Sequence, residues 1–193
     1  MIAKLSLLKN AARPEFHVTN YQKINFWNNF KLRWHNNKYK QLLLNTRDFA
    51  FCSELYKIIP PAEKTYTRIN ILFLHASLIG KNIESVNRKE YKLFNKEVDF
   101  FNKHWGVFMF ENEINWKVYR ELRRSWIDMC LEIDKGEICK EFIQNNIYEA
   151  EDNLNEEQLH AVVEYIDVLK DALNKLDVGQ LESFDWFNLK IDK

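Results

Sequence analysis

Apolar residues follow two patterns along this chain. In most segments they recur every three or four positions, the spacing that lays a single stripe along a helix. Between Ile69 and Ile79 they crowd every side: Ile69-Asn70-Ile71-Leu72-Phe73-Leu74-His75-Ala76-Ser77-Leu78-Ile79. That run is shorter than the roughly 18 to 20 residues that cross a bilayer. It therefore predicts a buried helix in the middle of a bundle, with Pro60-Pro61 in its first turn and Gly80 closing it.

Three stripes predict long amphipathic helices around that centre. Tyr91, Phe94, Val98, Phe101 and Trp105 mark one, capped by Ser85 and ended by Gly106. Tyr119, Leu122, Trp126, Met129 and Ile133 mark a second, ended by Gly136, with the tight apolar connection Val107–Phe110 before it. Leu159, Val162, Ile166, Leu169, Leu173 and Leu176 mark a third, running toward Gly179. Asn155 with Gln158 forms a capping box at its start, and Leu154 with Leu159 a hydrophobic staple. A further helix is predicted from a Thr19/Gln22 capping box to about Leu44, another from an Asn45-Thr46 cap to Ile59, and short ones over 2–12 and around Ile138, Phe142 and Ile147. The expectation is an all-α bundle of about seven or eight helices in a single domain over 1–193, with a short aromatic tail at 180–193.

Composition narrows the picture further. Among 193 residues, 46% are hydrophobic and 15% aromatic, enough for a packed core, while four glycines and three prolines are too few for an all-β protein. Cys52, Cys130 and Cys139 form no CxxC pair, and an odd count predicts a reducing compartment. The apolar stretch between Lys4 and Lys9 is too short for a secretory signal, so the expected address is cytoplasmic, with no membrane association.

Net charge is zero, but it is unevenly spread. Residues 1–59 carry ten Lys+Arg against three Asp+Glu, or +7; residues 60–135 carry thirteen against eleven, or +2; residues 136–193 carry five against fourteen, or −9. Such a dipole either neutralises itself within the fold or leaves a surface for a partner.

Three groups of side chains are candidates for function. Lys23, Trp27, Phe30, Lys31, Trp34 and Lys38 share one face of the helix after Thr19, where aromatics between lysines suit phosphate contact and base stacking. Arg120, Arg123 and Arg124 would grip a phosphate or carboxylate. Glu157, Glu164 and Asp171 recur every seven residues with Asp167 beside them, an acidic stripe that would meet a basic protein, with Phe184, Trp186 and Phe187 of the tail as anchors.

Catalytic signatures are sparse. Phosphate-cradling loops, a Gly-x-Ser-x-Gly elbow and a Cys/His dyad are all missing from the sequence, and Glu157 with His160 supplies a single Glu-x-x-His where di-iron bundles use two. No metal or cofactor is expected. Arg68 and His75, with six residues between them, resemble the Arg-x4–6-His motif of HEPN-type helical ribonucleases. That resemblance, over two residues, implies an Arg68/His75 pair open to water, usually across a dimer. The leading expectation is a non-enzymatic interaction protein of the inhibitor, immunity or adaptor kind, binding another protein with a basic surface. A nucleic-acid-binding protein and a HEPN-like ribonuclease are the alternatives.

Overall fold

The computed structural model describes residues 38–62, 64–104, 116–136, 138–148, 153–182, 184 and 186. Among these residues the protein is all-α, with no strand. Its helices are α1 (Lys40–Ala50), α2 (Thr65–Val86), α3 (Arg88–Lys103), α4 (Trp116–Asp134), α5 (Lys140–Phe142), α6 (Glu156–Leu173) and α7 (Val178–Glu182). A 3-10 turn at Leu55–Lys57 follows α1, and a π-turn at Ile143–Ile147 continues α5. The predicted helix over 2–12, the Thr19/Gln22 cap, the Lys23–Trp34 face, Trp105, the Val107–Phe110 connection and Phe187 lie outside the described residues.

Helix α2 is buried at every position from Ile69 to Gly80. It packs against α1, α3, α4, α6, α7 and the π-turn, so each face meets a different neighbour. Two of its expected boundaries are corrected. Pro60-Pro61 precede the helix without entering its first turn, and an extended Lys64 (φ −81°, ψ 137°) takes the N-cap position. Gly80 lies inside the helix: a Cβ there would sit 3.2 Å from the Phe94 ring and 3.3 Å from the Tyr91 ring. It serves the close approach of α3, which is a packing role and not a cap.

Asn87, in place of Ser85, opens α3; its side-chain oxygen accepts from the backbone N–H groups of Lys89 (3.0 Å) and Glu90 (3.3 Å). Ser85 instead donates to the Asn82 carbonyl. Phe94, Val98 and Phe101 of the α3 stripe are buried, as are Leu122, Trp126, Met129 and Ile133 of α4. Gly136 adopts φ +91° just past α4, the left-handed position its spacing predicts.

The Asn45-Thr46 cap is also corrected, because α1 runs straight through both residues. Thr46 Oγ donates back to the Leu42 carbonyl (2.7 Å), and Asn45 accepts from the Gln41 amide and donates to the Phe184 carbonyl (3.2 Å). Their polar groups are satisfied inside the fold, so no helix start is needed to satisfy them.

In α6 the capping box forms with both of its hydrogen bonds, at 2.9 Å each. The helix stops at Leu173, short of Gly179, which belongs to α7. A second box that the hydrophobic pattern did not mark, between Asp177 and Gln180, starts α7. Buried side chains from Tyr39 to Trp186 form one contiguous cluster. Among the described residues no helix is long and apolar enough to cross a membrane.

Candidate functional site

The acidic face of α6 follows from the helix period. With Leu159, Val162, Ile166, Leu169 and Leu173 turned inward, Glu157, Glu164, Asp167 and Asp171 are turned outward, and all four are exposed. Glu156 and Glu157 stand in the first turn, where carboxylates are favoured by the helix dipole. Glu156 pairs with Lys140 at 2.6 Å and Asp167 with Lys170 at 3.9 Å. Lys170, the cation on this helix, points its ammonium group at the Gly136 carbonyl (2.8 Å). The outward face is thereby left dominated by carboxylates.

Phe184 and Trp186 do not share that surface. Trp186 is 1% exposed, stacks on Phe49 at 5.4 Å, meets the edge of His75 at 4.7 Å, and donates its indole N–H to Thr46 Oγ (3.0 Å). Phe184 is 8% exposed and packs edge-on to Trp186. The reading of Phe184 and Trp186 as exposed anchors is therefore corrected: they belong to the protein's own core. Their burial follows from size and chemistry, since an indole whose N–H finds an acceptor loses nothing by leaving water.

On α4, Arg120, Arg123 and Arg124 are exposed. Arg123 approaches Asp99 at 3.6 Å with both side chains half open to solvent, a weak pair. Arg124 borders a cleft of about 210 Å³ with Glu121, Asp128, Asn145, Asn146 and the Tyr66 and Ser125 hydroxyls, which meet at 2.8 Å. Glu121 and Asp128 offset the arginine, so the cleft is mixed in sign. Of the basic-aromatic face only Lys38 is described, and its ammonium group pairs with Glu90 at 2.9 Å.

Arg68 and His75 each have partners of their own. Arg68 donates to the Ala62 carbonyl (2.8 Å) and lies over the Tyr56 ring at 5.3 Å. His75 is fully buried: Nδ1 donates to the Ile71 carbonyl and Nε2 accepts from the Tyr165 hydroxyl, both at 2.6 Å. A carbonyl can only accept, which places the proton on Nδ1. Burial pushes the His75 pKa down to about 4 and holds the ring neutral. Neither nitrogen can reach a proton in transit, so the water-open pair implied by the HEPN resemblance is not formed by these side chains. The place of His75 inside the all-apolar run already points to a buried histidine; the partner the pattern missed is Tyr165, an inward residue of α6 that the leucine stripe passed over.

The thiols are similarly committed. Burial raises the Cys52 pKa and pushes that of Cys130 up to about 12, both away from the reactive thiolate. Cys139 caps α5 through its sulfur, which accepts from the Phe142 N–H at 3.3 Å. Among the described residues no group of three His, Cys, Asp or Glu side chains could hold a metal ion. No family model, curated protein or solved structure matches the chain.

Proposed function

We propose that this protein is a non-enzymatic helical interaction module that binds another protein, one with a basic surface, through the acidic face of α6. The observation that carries the reading is the exposure of Glu157, Glu164, Asp167 and Asp171 along one helix face whose opposite side is locked into the core. A rigid single-signed face steers an oppositely charged partner and raises the association rate more than it slows dissociation. An inhibitor, immunity or adaptor role fits such a surface. With Phe184 and Trp186 buried, recognition rests on the carboxylates.

Affinity capture from the source organism, before and after nuclease treatment, tests this. The expected result is a basic protein retained by the parent after nuclease and lost by Glu164→Lys/Asp171→Lys. Loss of everything after nuclease would favour nucleic-acid binding through Arg120 and Arg124 instead.

A further inference from the structure

Helix α4 carries a second stripe on the side away from the core. Arg124, Ile127, Leu131 and Asp134 are separated by three, four and three positions, and all are exposed, Ile127 by 45% and Leu131 by 58%. At 100° per residue they occupy an arc of about 80°, nearly opposite the Leu122–Ile133 face. The chemistry along it reads basic, aliphatic, aliphatic, acidic, and the spacing is symmetric about Met129. Exposed aliphatics at coiled-coil spacing cost solvation unless something covers them.

We propose that this face is where two copies of the chain pair, α4 against α4, antiparallel about a two-fold axis near Met129. Ile127 of each copy then faces Leu131 of the other, and Arg124 of each reaches Asp134 of the other. That reciprocity, residue i meeting j while j meets i, is what an isologous interface requires. Three-and-four spacing on both helices suits the shallow crossing of about 20°.

Charge decides which occupant fits. Asp134 binds Lys81 at 2.6 Å yet keeps 47% of its side chain exposed, leaving room on its carboxylate for a second cation. A second copy offers Asp134 to Arg124. Asp128 meets its own copy beside the axis, a like-charged contact that limits affinity. One helix pair of this length buries less than the ~1,200 Å² of a standard interface, so the dimer is weak and reversible. The acidic face of α6 takes no part in it, and the inference stands apart from the binding role of that face.

Sedimentation equilibrium of the full chain over about 10 μM to 1 mM tests the pairing. The parent should show a monomer–dimer equilibrium, and Leu131→Glu, Arg124→Glu and Asp134→Lys should each be monomeric with helical content unchanged. Mixing Arg124→Glu with Asp134→Lys should restore association, since each end of the heterodimer then joins opposite charges. A parent that stays monomeric throughout, a dimer that survives Leu131→Glu, or a mixture that does not reassociate overturns the proposal.

Discussion

Trp186 ties the end of the described chain to α1, far away in sequence, through a ring stack on Phe49 and a hydrogen bond to Thr46. Removing that indole empties a packed site and takes away the N–H that Thr46 Oγ accepts, so Trp186→Ala should destabilise by about 3 to 5 kcal/mol in urea unfolding. An unchanged midpoint would show the tail to be dispensable. Phe73, fully buried with its ring edge-on to Trp126 at 5.9 Å, should cost a similar amount, about 3 to 5 kcal/mol, on truncation to Ala.

His75 adds a pH dependence with a defined sign. Its folded pKa is pushed from 6.5 down to about 4, so between those values the unfolded chain binds a proton that the folded chain does not. Its contribution is complete above about pH 6.5 and is lost as pH falls toward 4, on the order of 3 kcal/mol in all. Burial lowers the His104 pKa as well, which acts in the same direction. Urea midpoints should therefore fall from pH 7 to pH 4.5, and less steeply in His75→Gln. Equal slopes in the two proteins would remove His75 as the cause.

At the scale of elements, one-sided burial is what the sequence displays best. α3, α4 and α6 each bury one stripe, so their period and inward residues could be read directly, and the α6 capping box could be read from Asn155 and Gln158. Asn155→Ala should cost about 1 kcal/mol, read as a lower melting temperature. Boundaries failed where polar or small residues serve tertiary contacts instead of local ones. Asn45 and Thr46 receive the tail, and Gly80 admits the Tyr91 and Phe94 rings. Gly80→Val should destabilise by about 1 to 3 kcal/mol through overpacking against α3, and a melting temperature equal to the parent's would argue against that close approach. No local pattern could place Trp186, since its distant partners come from two helices, Thr46 and Phe49 on α1 and His75 on α2.

Across the whole molecule, the charge arithmetic anticipated an acidic face but not what would lie beside it. The sign of α6 is legible because fourteen acidic residues fall after position 135, whereas the destination of the tail depends on packing that no charge count contains. The acidic face of α6 is the central functional claim, and site-specific photo-crosslinking tests it most directly. A photoreactive side chain is placed at Glu164 or Asp171, with Lys89 on α3 as the control position, in cells of the source organism and with nuclease treatment before analysis. The account predicts a discrete protein adduct, to a basic partner, from 164 and 171 and not from 89. Adducts of equal yield from all three positions, or none from α6, would contradict it.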